Sequence, residues 1–198
     1  MTFNIIKPRP LGLVFDRTPS GLVKIHGNVC AVLFRDGIIQ DVLETTNIIT
    51  DAGDLFYAYR ATNAQPPTTH FTDGAALTFD GIMELYTSVS AAPSKSGIRS
   101  SLTSGIIATG SGKAMASGYP KRNDTDTANT GKGTDVVTYK VAYLTSEANA
   151  VGIDDVVITN PSPSAGDNLL MWADALGSFT KTPSNELNMY VNHTINGV

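Results

Sequence analysis

The sequence is poor in cysteine, histidine, tryptophan and charge. Its 198 residues include one cysteine, three histidines and one tryptophan, and charged residues make up 16% of the total. A single cysteine excludes an intrachain disulfide. Because Cys30 stands between Val29 and Ala31 in an apolar stretch, we expect it to be a small core residue rather than a reactive thiol.

Excess positive charge and long apolar runs are also missing. The formal net charge is -4, whereas nucleic-acid-binding domains normally carry a basic surface that meets the phosphates. No apolar run approaches the roughly 20 residues that cross a bilayer. The first ten residues, MTFNIIKPRP, lack the apolar core of a secretory signal. We therefore expect no nucleic-acid partner, no membrane partner and no secretory signal.

The motifs of common enzymes are absent from the sequence. His26, His70 and His193 are each alone in their segments, and neither His-Glu-x-x-His nor Cys-x-x-Cys occurs. No Gly-x-Ser-x-Gly motif marks a nucleophilic serine. Asp154 and Asp155 are neighbours in a predicted strand, so their side chains should point to opposite faces and not form a catalytic pair. The sequence thus predicts a protein that is not an enzyme and uses no cofactor.

The closest approach to a metal-binding motif is the polar stretch NDTDT at residues 123–127. Asp124 and Asp126 offer carboxylates at alternate positions, as a calcium loop does. If Asp124 is the first ligand, however, Asn129 stands where the loop requires glycine and Asp135 where it requires glutamate. The two aspartates are therefore weak candidates for a cation site, and a polar loop is the preferred interpretation.

A β-hairpin is the clearest local structure. The β-branched runs Asn28–Phe34 and Ile38–Leu43 are separated by Arg35-Asp36-Gly37. Asp-Gly between two such runs is a strong hairpin signal. The sequence therefore predicts two antiparallel strands here.

A short helix is expected directly after this hairpin. The strand-like character continues to Ile49, and Asp51-Ala52-Gly53-Asp54 is a polar break that can cap a helix. Leu55 and Tyr59 then follow at helical spacing, and Phe56 widens the apolar stripe. We predict one helix that lies against a sheet.

The rest of the chain reads as strands and loops. Further strands are predicted at 82–86, 135–144, 153–159, 169–175 and 186–195. Residues 88–133 lack a sustained period, so this long region either hides a strand or forms a contact surface. Strands without βαβ alternation favour an antiparallel sandwich or barrel. We predict a mainly β protein, an antiparallel β-sandwich with one short helix, formed as a single domain by residues 22–198.

Residues 1–21 are predicted to form an extended N-terminal arm. Pro8, Pro10 and Pro19 confine the segment to extended or edge geometry, and LGLVF at 11–15 makes it apolar. The arm either reaches a neighbouring subunit or lies against its own domain as an N-terminal strand. In the first case the expected partner-binding residues are Phe3, Ile5, Pro8, Pro10, Leu11, Leu13 and Phe15.

The order of segments resembles the jelly-roll virion proteins of tailed bacteriophages. The resemblance covers residues 29–198 and departs from the family in the long polar insertion at 110–134 and in the proline-rich start. It is carried by the hairpin at 29–43, NIITDAG at 47–53, the strand at 82–87, SLTS at 101–104, the Val/Tyr strand at 135–144, the strand at 153–160, the segment at 169–176 and FTKT at 179–182 before the last strand.

This resemblance implies a jelly-roll-like sandwich with a structural role. It points first to a capsid decoration, or cement, protein that stabilises the shell of a virion assembled in the bacterial host cytoplasm. Its partners would be the major capsid protein and further copies of itself, as a dimer or trimer on the capsid surface. A neck, tail or fibre-associated virion protein is the alternative.

A carbohydrate-binding jelly roll is an alternative from another class. Such a module stacks sugars on exposed aromatic side chains. The candidates for this role are Trp172, Tyr57, Tyr59 and Tyr119. Burial of Trp172 would remove the main platform that this alternative requires.

Overall fold

The computed structural model describes residues 24–62, 71, 78–161, 167–174 and 176–196. Within these residues the protein is mainly antiparallel β, sandwich-like, with one α-helix. The predicted fold class is thereby confirmed. The predicted arm, residues 1–21, lies outside the described residues.

The described chain contains eleven strands, three of them only two residues long. In chain order they are β1 Lys24–Arg35, β2 Ile38–Ile49, β3 Ile82–Thr87, β4 Ile106–Ile107, β5 Lys113–Ala114, β6 Lys121–Arg122, β7 Val136–Tyr143, β8 Ala150–Thr159, β9 Leu169–Ala173, β10 Phe179–Lys181 and β11 Glu186–Asn196.

The predicted hairpin is present as β1 and β2. Asp36 and Gly37 form its two-residue turn, with φ angles of 53° and 75°. Asp and Gly tolerate this left-handed conformation better than other residues, and it matches the twist of antiparallel strands. The local sequence therefore fixes the register with which β1 and β2 pair.

Two groups of strands are joined through β2. One group has the order β2-β1-β11-β7-β6, and the other has the order β4-β3-β8-β9, with β10 beside β8 and β5 beside β3. β2 pairs with β1 along most of its length but meets β9 at Ile48 and Ile49. All of these pairings are antiparallel. β2 thus carries the chain from one group to the other.

The two groups pack around one apolar core. Leu187, Met189 and Val191, at alternate positions of β11, belong to the same buried cluster as Val156 and Ile158 of β8. Side chains at alternate positions of a strand share one face. The inner faces of both groups therefore contribute to a single core.

The helix α1, Asp51–Ala61, begins where predicted but is capped differently. Its N-cap is Thr50, whose side-chain oxygen accepts a hydrogen bond from the Gly53 N–H at 3.2 Å. Phe56 is buried, whereas Leu55 is 41% exposed. The predicted apolar stripe is therefore wrong at Leu55, because the helix turns Phe56 towards the core instead.

The long region 88–133 lies on the chain's own outer surfaces and contains the short strands β4, β5 and β6. On one outer face Val89, Ala91 and Leu102 pack with Trp172 in a second apolar cluster. On the other outer face Ala128 packs against a third cluster, whose buried members are Cys30, Val32 and Tyr190. The alternative of a hidden strand thus has a structural counterpart in β4, β5 and β6, and the role of this region as a contact surface for a partner stays a prediction.

Candidate interaction surface

Strand register places several turns at one end of the sandwich. Leu187 of β11 pairs with both Leu33 of β1 and Tyr143 of β7. Residues 144–149 connect β7 directly to β8, and the start of β8 lies beside the end of β3. We call this end, which carries the β1–β2 turn, the hairpin end.

Exposed aliphatic side chains are concentrated at the hairpin end. Of the ten large hydrophobic residues that are exposed in the described chain, seven belong to the elements that meet there. Monomeric proteins rarely leave such residues grouped unless they form an interaction site. The seven are Ile38, Ile39, Val42, Ile106, Ile107, Leu144 and Val151.

The hairpin itself presents an apolar stripe. Phe34 lies opposite Ile39 and Val32 lies opposite Val42, so these four side chains share one face. Val32 is fully buried, whereas Ile39 and Val42 are 49% and 40% exposed. Gln40 is an extra residue in β2, which breaks the ladder at this point. The stripe therefore leads from the third cluster out into solvent.

A groove lies at the opposite end, between α1 and the ends of β1 and β11. Lys24 pairs with Asn196 at this end. A cavity of about 590 Å³ opens here, and a second of about 520 Å³ shares Tyr57, Arg60 and Ile195 with it. We call the first cavity the α1 groove; its described lining is Ile25, Asp54, Tyr57, Ala58, Arg60, Ala61 and Ile195.

A buried polar network lies next to the α1 groove. The Tyr57 hydroxyl is 2.6 Å from His193 Nδ1 and 2.9 Å from the Tyr139 hydroxyl. Asn47 Nδ2 is 3.1 Å from His193 Nε2. With the Asn47 amide donating, Nε2 accepts, so the neutral ring carries its proton on Nδ1 and donates to Tyr57. The network thus links β2, α1, β7 and β11.

Burial controls the ionisation of this network. His193 is fully buried, and the loss of solvation lowers its pKa to about 3. Burial also raises the pKa of Tyr57 and Tyr139. All three groups are therefore neutral near pH 7, which is the state that suits neutral hydrogen bonds in a dry site.

The structure holds Asp124 in an organised loop. Its carboxylate accepts hydrogen bonds from the Tyr119 hydroxyl at 2.7 Å and the Asn129 amide at 2.9 Å, and it lies 3.1 Å from Lys121 Nζ. Burial by itself would raise the pKa of Asp124, but the hydrogen bonds from Asn129, Tyr119 and Lys121 outweigh it and hold the pKa at about 2. Protein donors thus surround this carboxylate.

Asp126 is held in the same way. It accepts hydrogen bonds from Lys140 Nζ at 2.6 Å, the Tyr190 hydroxyl at 2.7 Å and the Ala128 N–H at 3.1 Å. Although burial opposes ionisation, these donors lower the pKa of Asp126. Asp126 therefore fixes the loop to β7 and β11, whereas the donors to Asp124 lie within the loop and in β6.

The other outer face carries two buried carboxylates. Glu84 pairs with Arg99 and accepts a hydrogen bond from the Tyr86 hydroxyl at 2.8 Å. Asp155 accepts a hydrogen bond from the Trp172 indole N–H at 2.7 Å. Both carboxylates are 1% exposed. These contacts fasten β3, β8 and β9 to the segment that contains Arg99.

The expectation that Asp154 and Asp155 point apart is wrong. Tyr86 pairs with Asp155, but the next residue, Thr87, pairs with Ile153, so Asp154 is an extra residue in β8. Such a bulge turns one side chain towards its neighbour. Burial, the charge of Asp174 and the interaction with Asp154 raise the pKa of Asp155 to about 7, against the opposing effect of the Trp172 hydrogen bond.

Other sequence predictions can be placed on this structure. Cys30 is fully buried, as expected for a core residue. Trp172 is 1% exposed, which removes the main platform of a sugar-binding face. All seven predicted partner-binding residues of the arm lie outside the described residues, so that prediction stays a prediction.

The sequence did not indicate the contact between Asn47 and His193, which are 146 positions apart. The hydrophobic character of Ile38, Ile39 and Val42 was visible, but their exposure was not.

In the described part of the chain, no three His, Cys, Asp or Glu side chains gather in a way that could hold a metal ion. No helix among the described residues is long and apolar enough to span a membrane.

Comparisons with protein-family models, with curated proteins and with solved structures give no match. The functional inference therefore rests on the resemblance in segment order and on the chain's own geometry. That geometry consists of a sandwich-like β fold, an apolar hairpin end and a groove at the opposite end.

Proposed function

We propose that this chain is a structural protein of a tailed-phage virion, a capsid decoration protein with a jelly-roll-like sandwich. In this role it binds the major capsid protein and further copies of itself, and it has no catalytic task. The resemblance in segment order suggests the virion. The grouping of exposed aliphatic side chains at the hairpin end is the observation that supports a docking role.

The hairpin end suits attachment to a large, shared surface. Ile38 and Val151 are 66% and 78% exposed, and they lie on different elements that reach the same end. Interfaces place apolar side chains at their centre and polar groups at their rim. Arg35, Asp36 and Asp41 flank the exposed aliphatic residues of the hairpin and can supply such a rim.

The polar side chains support a scaffold rather than a reaction site. The carboxylates of Asp124, Asp126 and Glu84 each contact cationic and hydroxyl groups of their own chain. Such internally paired groups hold loops in place. A decoration protein benefits from such ordered loops, because loops that become ordered only on binding reduce the net free energy of binding.

Sugar binding is less well supported. The Trp172 ring is buried, and the Tyr57 hydroxyl is engaged by His193 and Tyr139. A lectin face needs an aromatic ring that is open to solvent. Trp172 and Tyr57 instead stabilise the fold through their contacts with the chain's own residues.

The test is binding of the purified full-length chain to shells of the parent phage, quantified by cosedimentation and by cryo-electron microscopy. Ile39→Asp places a charge in the hairpin stripe, so we expect shell binding to weaken about tenfold or more. Leu55→Asp is the matched control, because Leu55 has similar exposure but lies on α1. The control should bind like the unsubstituted chain.

Unchanged binding of Ile39→Asp would overturn the hairpin end as the docking site. If the unsubstituted chain is found on the neck, tail or fibres and not on the shell, the alternative virion role replaces the decoration role.

Deletion of residues 1–20 is expected to leave a folded protein that no longer binds its particle. Full occupancy of the particle by the shortened protein would refute the role of the arm.

A further inference from the structure

The α1 groove is the large apolar recess at the end of the molecule away from the hairpin. Ala58 and Ala61 form a low wall on the helix, and Ile25 and Ile195 form the opposite wall. Ile195 is 37% exposed in the described structure. The groove thus offers an open apolar channel between a helix and two strand ends.

The chain enters the described structure at the rim of this groove. β1 begins at Lys24, and the next residue, Ile25, already lines the groove. Phe15, the last residue of the apolar run, precedes Lys24 by nine positions. Nine extended residues reach roughly 30 Å. The apolar run of one copy can therefore reach the groove of a copy that faces it at this end.

The chemistry of the arm matches that of the groove. Leu11, Leu13 and Phe15 alternate, so an extended arm presents all three on one face. Asp16 follows this run, and Arg60 stands at the groove with its guanidinium 5.3 Å from the Phe56 ring centre. Arg17 follows Asp16, and Asp54 also lines the groove, so the run ends in one acidic and one basic residue and meets one of each at the groove.

We infer that the α1 groove binds the stretch Leu11–Phe15 of a second copy of this chain, so that two copies exchange their arms. This inference rests on the proposed function, because a decoration protein must associate with itself while another surface holds the shell. Exchange at the groove leaves the hairpin end free. In a dimer with two-fold symmetry, the same contact occurs twice, so both grooves are filled.

Disulfide trapping between full-length chains tests this contact. One preparation carries Leu13→Cys and the other Ala58→Cys; the two are mixed under mild oxidation and separated without reductant. A disulfide requires Cα atoms about 4.4–6.8 Å apart, so it reports close approach. The native Cys30 is buried and should not compete. We expect a covalent dimer that contains one chain of each kind.

The control pairs Leu13→Cys with Val151→Cys, which lies at the hairpin end and is 78% exposed. This mixture should give little or no covalent dimer. Equal yields from the Ala58 and Val151 mixtures, or no dimer from either, would overturn the inference. A chain with both Leu13→Cys and Ala58→Cys that links within itself, when the mixed chains do not link, would also overturn it, because the arm would then occupy its own groove.

Light scattering of the full-length chain gives a second readout. Ala58→Glu should convert the associated form to a monomer, whereas Leu55→Glu on the same helix should leave the mass unchanged. Circular dichroism establishes that both variants are folded. Monomeric behaviour of the unsubstituted chain at high concentration would overturn the inference. Since no shell protein is present, these results are independent of the test of virion attachment.

Discussion

The buried His193 should contribute a loss of stability in mildly acidic solution, because its ring takes up a proton only when the chain unfolds. The ring is fully buried and hydrogen-bonded in its neutral form by Asn47 and Tyr57. In the unfolded chain the same ring has its ordinary pKa of 6.5, whereas in the folded protein burial lowers the pKa to about 3. The unfolded state therefore binds more protons throughout the window between these two values.

The sign and size of the effect follow from this difference. Because the folded-state pKa lies below the unfolded-state pKa, the contribution of His193 to stability is complete above pH 6.5 and falls as the pH drops towards 3. For this single group, linkage gives a loss of about 2 kcal/mol at pH 5 and about 3 kcal/mol at pH 4. Asp124, with a folded-state pKa of about 2, titrates mainly below this range.

Urea unfolding between pH 4 and pH 7.5 measures this loss. Fluorescence of Trp172, the one tryptophan of the chain, follows the transition from its buried state. His193→Gln retains a polar amide but cannot be protonated, so on acidification its free energy of unfolding should fall less than that of the unsubstituted protein, or rise. Tyr57→Phe is the control: it removes the hydroxyl that contacts His193 and Tyr139 yet keeps the histidine, so it should keep the slope.

The pH dependence of stability that Asp155 contributes is opposite in sign to that of His193. The two contributions must therefore be measured separately. Burial raises its folded-state pKa, so stability falls as the pH rises towards neutrality and this carboxyl ionises. Asp155→Asn removes that contribution and should steepen the acid loss caused by His193. If His193→Gln and the unsubstituted protein lose equal free energy of unfolding between pH 6.5 and pH 4, the buried neutral histidine is not the cause.

Two further predictions concern close contacts. In Gly53→Ala the new Cβ would lie 2.2 Å from the backbone oxygen of Leu170, so urea unfolding should show a loss of about 1–3 kcal/mol; a stability equal to that of the parent would contradict this packing. Asn129 and Asn192 exchange two hydrogen bonds of 2.9 Å. Asn129→Ala should cost about 1–3 kcal/mol and accelerate amide exchange in residues 119–131, whereas unaltered exchange there would show that this pair does not hold the loop.

The elements that could be predicted are those with local causes. Asp36 and Gly37 select a tight turn because of their own backbone preferences, and the β-branched runs beside them need only pair across it. The helix follows from a polar break and a short apolar stripe. The buried face of the helix could not be predicted from local sequence. The sheet on which the helix packs decides whether Leu55 or Phe56 points to the core.

The contacts between distant segments could not be predicted, because they depend on how strands far apart in the sequence pair. His193 meets Asn47 because β11 and β2 flank β1, and neither segment carries a signal for the other. The bulge at Asp154 arises where β3 and β8 lose register. A period-two pattern assumes a regular ladder, so it cannot reveal such a position.

The polar contacts of the outer loop and those around His193 respond to pH in different ranges. Asp124 and Asp126, with lowered pKa values, keep their charge and their donors between pH 4 and pH 6.5. In the same range the unfolded chain takes up a proton at His193, whereas the buried ring of the folded protein stays neutral. The loop at 119–131 therefore stays attached until the whole sandwich opens. Attachment through the hairpin end should then fall with pH along the same curve as global unfolding, since the hairpin shares its strands with the core.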